Sequence, residues 1–295
     1  MQQGLKNCGV KVVAMLQSTV EKVEQEQQRK PSRCKDPIAR FRNKIICGDA
    51  LETMTHIPSG SVDLIITSPP YNLKNSTGNG MKDGRGGKWA NAALVNGYVT
   101  HNDCMPHDEY AAWQRACLSQ MLRLLPENGA IFYNHKWRVQ GGLLQERQDI
   151  VAGFPVRQII IWKRKGGINF NPGYFLPTYE VIYLIAKPNF KLVAKANAHG
   201  DVWEFMQEME NPHPAPFPLE LIERIVASTE ASIVLDPFIG SGTTAIAANN
   251  LGRDYIGIDI AKDYCNMARK RLAGKNWNNK TQQGNERQTG GRKRA

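Results

Sequence analysis

The chain has 295 residues, 41% of them hydrophobic, enough to bury the core of one large α/β domain with an inserted or appended segment. Its 38 Lys and Arg against 27 Asp and Glu give a formal net charge of +11, which favours a polyanionic partner such as nucleic acid. The six cysteines contain no C-x-x-C pair, so we expect no metal site and no disulfide framework. No apolar run approaches the ~18 residues of a membrane span, and the N-terminus lacks a signal-peptide pattern. We therefore expect a soluble cytoplasmic protein.

In chain order, residues 1–43 combine an amphipathic run with a polar stretch and predict a peripheral helix and linker. Short apolar runs then alternate with helical periodicity, which is typical of β-α units around a mainly parallel sheet. Seven strands are predicted, at residues 44–47, 62–67, 130–133, 157–162, 180–186, 232–235 and 254–258. Helices are predicted at residues 50–56, 108–125, 138–152, 219–228, 243–251 and 261–272. The fold class predicted from this order is α/β with one seven-stranded sheet.

Three stretches lack the pattern of helices or strands. Residues 72–106 are rich in Gly, Asn and Lys, and residues 163–177 are rich in Gly and Asn with interleaved aromatics. Long irregular loops in a compact domain are usually functional or disordered. Residues 273–295 hold almost no apolar side chains and predict a disordered basic tail.

A glycine-rich turn follows the predicted strand at residues 232–235, where the sequence reads SIVLDPFIGSGTT. Gly240 and Gly242 allow the backbone to approach a ligand closely, as at the nucleoside crevice of a doubly wound sheet. The third glycine of the dinucleotide fingerprint is missing, so a nucleoside bearing an amino-acid carboxylate fits better than a pyrophosphate. Asp259 ends the next strand, 23 residues after Asp236, at the spacing of an acid that binds ribose hydroxyls.

A second motif, VDLIITSPPYN, stops a buried strand at two consecutive prolines. Pro69 and Pro70 cannot donate ladder hydrogen bonds, so the strand ends in a stiff turn with unpaired carbonyl oxygens. Ser68 Oγ and the Pro69 carbonyl can accept hydrogen bonds from the amino group of a base, and Tyr71 can offer a face for a planar ring. Such hydrogen bonds favour a pyramidal, nucleophilic nitrogen that attacks a methyl donor directly.

The segment from Ile66 to Tyr71, taken with DPFIGSGTT, resembles the amino-methyltransferases of bacterial and phage restriction-modification systems. The order, with the catalytic motif first and the glycine loop last, resembles their β group, whose target-recognition segment lies between the two motifs. The resemblance covers about residues 44–272 and implies a catalytic domain with a Rossmann-like class I S-adenosylmethionine-dependent methyltransferase fold. The sheet would be mixed and mainly parallel, and circularly permuted, because residues 44–47 then supply its third strand.

The resemblance also implies site residues. Ser68, Pro69, Pro70 and Tyr71 would be catalytic. His213 lies in NPHPAPFP, which resembles the family's short HP element but departs from its usual T-Q-K-P continuation. The S-adenosyl-L-methionine site would comprise Asp49, Ala50, His213, Asp236, Pro237, Phe238, Gly240, Ser241, Gly242, Thr243, Thr244 and Asp259.

Double-stranded DNA is the implied substrate, with the target base flipped out of the helix. Ser68 in place of the Asp that is commoner among adenine-N6 enzymes favours N4 of cytosine, and N6 of adenine stays the alternative. Residues 72–106 and 163–210 are the expected DNA-recognition segments. Their expected phosphate contacts are Lys74, Lys82, Arg85, Lys88, Lys163, Arg164 and Lys165.

Two other functional classes compete with this interpretation. Related N-P-P-Y cups also hold RNA bases and protein glutamine amides, but the permuted order and the long central insertion argue against these acceptors. A catalytically silent DNA-binding module is disfavoured by the intact motifs. The sequence leaves open a homodimer and a cognate restriction nuclease as partners.

Overall fold

The structure is a computed structural model that describes residues 36–72, 105–140, 142–164, 171–208, 211, 213 and 216–274. The strands are β1 (Lys44–Cys47), β2 (Leu64–Thr67), β3 (Ala130–His135), β4 (Arg138–Gln140), β5 (Leu143–Gln145), β6 (Val156–Lys163), β7 (Tyr179–Ala186), β8 (Val202–Glu204), β9 (Ile233–Asp236) and β10 (Asp254–Asp259). The helices are α1 (Ala50–Thr55), α2 (His107–Leu124), α3 (Gln148–Val151), α4 (Leu219–Ala227), α5 (Thr243–Asn250) and α6 (Lys262–Leu272). All of these elements belong to the second of two compact units, Arg40–Ala295.

One mixed sheet organises the domain, in the strand order β1-β10-β9-β2-β3-β7-β6-β8. Seven of its strands run parallel, and β7 alone runs antiparallel to both of its neighbours. The predicted α/β fold with a mainly parallel, permuted sheet is confirmed. Strand β1 comes first in the chain, yet it lies at the outer edge of the sheet beside β10, the last strand in the chain. The chain order reverses between β9 and β2, which makes their carboxyl ends the expected place for a ligand crevice.

The main core lies between one face of the sheet and helices α4 and α5. Leu64 and Ile66 alternate along β2 toward this core, because successive strand residues point to opposite faces. Leu221, Ile222 and Ile225 form the apolar stripe of α4 that covers them. Helix α2 packs against α1 and β3. The carboxyl ends of β2, β3 and β9 are thereby held in a rigid frame.

Two predictions about the elements were wrong. Residues 138–152 form the hairpin β4-β5 and the one-turn helix α3 instead of a helix. Gly142 takes a φ of +81° and Arg147 a φ of +70°, and such left-handed residues interrupt a helix. The sheet has eight strands rather than seven, because β8 pairs in parallel with β6. Its three residues are too few to show an alternating pattern.

Several predicted segments lie outside the described residues, namely residues 1–35 of the predicted N-terminal helix and linker, most of the recognition segment 72–106, and residues 275–295 of the predicted tail. None of the helices in the described ranges is long and apolar enough to cross a membrane.

Candidate active site

The catalytic motif and the glycine loop leave neighbouring parallel strands at the same edge of the sheet. Strand β2 pairs with β9 through Leu64 and Ile65. Beyond the last paired residues, Thr67 Oγ1 donates a hydrogen bond of 2.9 Å to Asp236 Oδ1. Two sequence motifs almost 170 residues apart are therefore joined by one buried side-chain contact.

Asp236 fixes the start of the glycine loop through hydrogen bonds to its carboxylate. Its carboxylate also accepts hydrogen bonds from Thr244 Oγ1 at 2.7 Å and from the Phe238 N–H at 3.0 Å. Burial raises the pKa of Asp236 to about 6, although these hydrogen bonds act in the opposite direction. Asp236 ties β2, β9 and α5 together, so its carboxylate oxygens serve the loop itself.

The two glycines of the loop are required by their surroundings. Gly240 has a φ of +50°, and a Cβ built on it would lie 2.7 Å from His213 Nε2. Gly242 has a φ of +91°, and its Cβ would lie 2.8 Å from the Cβ of Ala268 on α6. Any side chain at these positions would displace the neighbour and strain the backbone.

Two further acids stand at the ends of the flanking strands. Asp259, at the end of β10, accepts the Gly240 N–H at 3.0 Å and the Ala261 N–H at 2.8 Å. Burial raises its pKa. Asp49 follows β1 and caps α1 by accepting the Glu52 N–H at 2.9 Å. Both carboxylates stand beside the same crevice, where their unused lone pairs can accept hydrogen bonds from hydroxyl or amino groups of a ligand.

These groups line an open crevice with about 860 Å³ of atom-free space, the solvent at its mouth included. Eleven of the twelve predicted cofactor residues line it, and Gly242 does not. The catalytic motif contributes Ser68 and Pro70 to the same wall, whereas Pro69 and Tyr71 lie outside the lining. Sequence reasoning missed six of the lining residues: Trp113, Pro216, Phe217, Ile239, Ile260 and Tyr264.

Aromatic rings close two sides of the cavity. Trp113, on α2, meets Phe238 edge to face, with ring centroids 5.7 Å apart. His213 meets Tyr264 edge to face, with ring centroids 4.7 Å apart. His213, a predicted cofactor residue, lies in the wall of this cavity next to Gly240. Flat rings around a cavity with a few polar groups suit an adenine-containing ligand.

Beside the cavity, the catalytic motif enters a buried polar cluster. Tyr71 is only 6% exposed, and its hydroxyl lies 2.6 Å from Ser68 Oγ. Asn134 Nδ2 donates to the same hydroxyl at 2.6 Å, and the hydroxyl itself donates to Glu180 Oε2 at 3.2 Å. His135 lies against the Tyr71 ring, with centroids 4.9 Å apart. The ring that the sequence predicts as a stacking face thus has a fixed hydroxyl and a His135 neighbour.

The proline turn is fixed by a second set of hydrogen bonds. The Pro70 carbonyl accepts from Tyr110 Oη at 2.8 Å, and Tyr110 Oη also lies 2.8 Å from His135 Nε2. Burial lowers the pKa of His135 well below its ordinary value, so its ring is neutral. Within the described part of the chain no donor reaches the Pro69 carbonyl. The lone pairs of that carbonyl are therefore unused in the described structure, although Pro69 is not itself part of the cavity lining.

The residues predicted to contact phosphate divide into three cases. Lys163 is exposed and pairs with Glu204 at 2.8 Å. Arg164 is 12% exposed in its side chain and pairs with Glu180 at 3.1 Å, so it points into the polar cluster instead of outward. Lys74, Lys82, Arg85, Lys88 and Lys165 lie outside the described residues.

Several residues of the polar cluster carried no sequence signal that we used. Asn134 and His135 directly follow the predicted strand at residues 130–133, and the structure extends that strand through both of them as β3. Their position at the carboxyl end of a strand next to β2 was the available signal. Glu180 opens a strand that runs the other way, and nothing in its neighbourhood in the sequence distinguishes it.

Comparison with known proteins matches this architecture to one family. The profile of the DNA methylase family of N6 and N4 methyltransferases covers residues 62–270. The type II methyltransferase M.BglII of Bacillus subtilis is 31% identical over 274 residues, which cover 79% of this chain and 69% of that protein. The type II methyltransferase M.HpaI of Haemophilus parainfluenzae is 30% identical over 255 residues, covering 78% of this chain and 74% of that protein.

Solved structures show the same fold. The Thermus thermophilus protein TTHA0409, in complex with S-adenosyl-L-methionine, superposes with a TM-score of 0.58 at 24% identity, over 79% of this chain and 94% of that one. The cytosine-N4-specific PvuII DNA methyltransferase superposes with a TM-score of 0.61 at 17% identity, over 77% and 85%. The glycine loop and the proline turn follow the neighbouring strands β9 and β2, and the family profile spans both motifs. The chain therefore belongs to the N6 and N4 DNA methylase family of restriction-modification type.

Proposed function

We propose that this S-adenosylmethionine-dependent DNA methyltransferase takes its target base out of the duplex and methylates N4 of cytosine. The observation that carries the proposal is the position of Ser68, whose hydroxyl joins the wall of the cofactor cavity to the buried cluster around Tyr71. A base amino group that donates a hydrogen bond to this hydroxyl would lie between the cofactor cavity and the buried cluster around Tyr71. A base within a duplex cannot reach such a recess, so it must be flipped out.

The cavity fits S-adenosylmethionine by its shape and by its polar groups. Gly240 lies in the cavity wall, where a Cβ would lie 2.7 Å from His213 Nε2, and Gly242 lets the loop pack closely against Ala268 of α6. Asp259 is the acceptor for ribose hydroxyls, and Asp49 is the acceptor for the adenine amino group. Trp113 and Phe238 offer ring surfaces to the apolar parts of the ligand. When bound, the cofactor supplies a methyl group on a positively charged sulfur.

The residues of the proline turn prepare the nucleophile. The lone pair of a base amino nitrogen is delocalised into the ring, and two acceptors placed off the ring plane favour the pyramidal form in which the lone pair is localised. Ser68 Oγ and the unpartnered Pro69 carbonyl are these acceptors. They would also stabilise the positive charge that the nitrogen acquires when it takes the methyl carbon from the cofactor sulfur, which leaves as a neutral thioether. The nitrogen then loses a proton to solvent and becomes neutral.

Cytosine is proposed over adenine because a serine, a neutral hydroxyl, stands where adenine-N6 enzymes of this family commonly have an aspartate. Both bases present an amino group beside a ring nitrogen, so the same acceptors serve either one. The alternative is therefore methylation of adenine at N6 by the same chemistry. RNA and protein glutamine amides are the remaining acceptors to exclude by experiment.

Recognition of the duplex is assigned to residues 72–106 and 163–210, within a catalytic domain at residues 44–272. Strand β6 ends and β7 begins at the same sheet edge as the catalytic motif, because β6 runs parallel to β2 and β3. The segment between them therefore begins and ends on the side of the sheet where β2 and β3 have their carboxyl ends. Its exposed Lys163 stays a proposed phosphate contact, and Arg164 does not, since it is committed to Glu180.

The testing experiment measures transfer of labelled methyl groups to unmethylated duplex DNA of mixed sequence, followed by digestion to nucleosides and mass spectrometry. We expect labelled N4-methylcytosine from the wild type and no label from Ser68→Ala, which serves as the matched control. Labelled N6-methyladenine would keep the chemistry and overturn the proposed base. Label in RNA or protein, with none in DNA, would overturn the proposal as a whole.

A further inference from the structure

The cluster around Tyr71 contains a buried carboxylate that the proposed chemistry does not use. Glu180 lies at the start of β7, is 7% exposed, and accepts hydrogen bonds from Tyr71 Oη at 3.2 Å and from Asn134 Nδ2 at 2.8 Å. Its other oxygen pairs with Arg164 at 3.1 Å. We call Ser68, Tyr71, Asn134 and Glu180 the Tyr71 network.

The direction of each hydrogen bond in the Tyr71 network follows from the Glu180 carboxylate. An ionised carboxylate accepts hydrogen bonds and cannot donate them. Tyr71 must therefore use its single hydroxyl proton toward Glu180, and charge-assisted bonds of this kind are stronger than neutral ones. Its short contact with Ser68, at 2.6 Å, then requires Ser68 to be the donor. Because Ser68 donates its only hydroxyl proton to Tyr71, Ser68 Oγ can only accept any further hydrogen bond.

Asn134 is oriented by the same carboxylate. Its two amide protons go to Glu180 at 2.8 Å and to Tyr71 Oη at 2.6 Å, which leaves its third contact, 3.4 Å to Ser68 Oγ, without a proton. Its Oδ1 atom is consequently a buried acceptor without a partner in the described structure. A buried acceptor without a hydrogen-bond partner destabilises the folded protein. The amide would relieve that cost by turning over, if Glu180 did not hold its nitrogen in place.

We propose that Glu180, paired with Arg164, is a positioning residue that sets the hydrogen-bond direction through Tyr71 and Asn134, so that Ser68 presents an accepting lone pair to the target amino group. This inference rests on the proposed role of Ser68 and deepens it. Without the carboxylate, Tyr71 can turn its proton toward Ser68, and Ser68 can then turn its own proton toward the base. A hydroxyl proton that faces an amino proton repels it instead of activating the nitrogen.

The test compares Glu180→Gln and Tyr71→Phe, alone and combined, in steady-state methyl transfer. Each variant keeps the shape of its side chain. We expect each single change to lower kcat by about 10- to 100-fold, less than the ~10²- to 10³-fold typical of losing a direct transition-state contact. KM for S-adenosylmethionine should stay within about two-fold, because neither residue lines the cofactor cavity.

Coupling distinguishes the network from a structural role. If Glu180 acts through Tyr71, the double variant loses no more than the more damaging single change. Losses that multiply would overturn the proposal, as would an unchanged kcat in Glu180→Gln. Glu127→Gln is the matched control, since it removes a largely exposed carboxylate that pairs with Lys187 at 3.7 Å outside the proposed recognition segments, and its kcat should be unchanged.

Loss of folded protein is measured separately, by counting active sites from stoichiometric cofactor binding and expressing kcat per site. The Tyr71→Phe variant leaves the pair between Glu180 and Arg164 intact, so it reports on the network even if Glu180→Gln folds poorly. The inference is read from ratios of variant to wild-type rates. The proposed base is read from the methylated nucleoside, so the failure of one is distinct from the failure of the other.

Discussion

Replacing Asp236 by Asn should change how the stability of the protein depends on pH. Burial raises the pKa of Asp236 to about 6 in the folded protein, from an ordinary value of 3.8. Between these values the folded chain binds one proton more than the unfolded chain, so the free energy of unfolding falls as pH rises. Two pKa units correspond to ~3 kcal/mol lost between about pH 4 and 6, with no further loss above that range.

Asp236→Asn resembles the protonated acid in shape and charge, and its amide can still pair with Thr67, Thr244 and the Phe238 N–H. We expect the variant to lack this pH-dependent loss. Urea unfolding of both proteins without cofactor, at several pH values from 4 to 7.5, gives the difference in their free energies of unfolding, in which the other titrating groups cancel. As the pH rises from about 4 to 6, that difference should change by ~3 kcal/mol, with the variant becoming the relatively more stable protein.

The exposed Asp263 provides a matched Asp→Asn control for the change in net charge alone. Its unfolding measurements show how much of any difference comes from the loss of one surface charge. If the free energies of unfolding of Asp236→Asn and the wild type differ by the same amount at every pH, the conclusion that burial raises the pKa of Asp236 is refuted.

Three further predictions concern the cavity and the catalytic motif. Gly240→Ala should weaken S-adenosylmethionine binding at least ~10-fold in calorimetry, because its Cβ would lie 2.7 Å from His213 Nε2. Gly252→Ala, with a similar positive φ and open space around it, should leave affinity unchanged; equal losses would assign the effect to backbone strain. Trp113→Ala should weaken binding by ~3- to 10-fold through loss of the ring against Phe238, and unaltered affinity would remove Trp113 from the site. Tyr71→Ala should lose most methyl transfer yet keep cofactor binding, since Tyr71 lies outside the cavity lining; normal turnover would contradict its role.

Local chemistry was enough to predict the two motifs and seven of the eight strands of the sheet. Positive φ angles at Gly240 and Gly242 are conformations that few other residues tolerate, so the turn is visible in the sequence. Consecutive prolines at Pro69 and Pro70 end a strand for equally local reasons. Buried parallel strands appear as continuous apolar runs, which is why the sheet could be recognised strand by strand.

Tertiary structure decided what these motifs touch. Asn134 and Glu180 meet Tyr71 from 63 and 109 residues away, and neither belongs to a periodic or turn-forming pattern. Arg164 was predicted as a phosphate contact from its charge, but its direction depends on Glu180, which β7 places beside it. The hairpin β4-β5 likewise replaced a predicted helix, because glycine and a left-handed Arg147 outweighed helical periodicity. Backbone conformations that only certain residues adopt can be predicted from the sequence. Polar contacts between strands depend on the register of the folded sheet, so only the tertiary structure determines them.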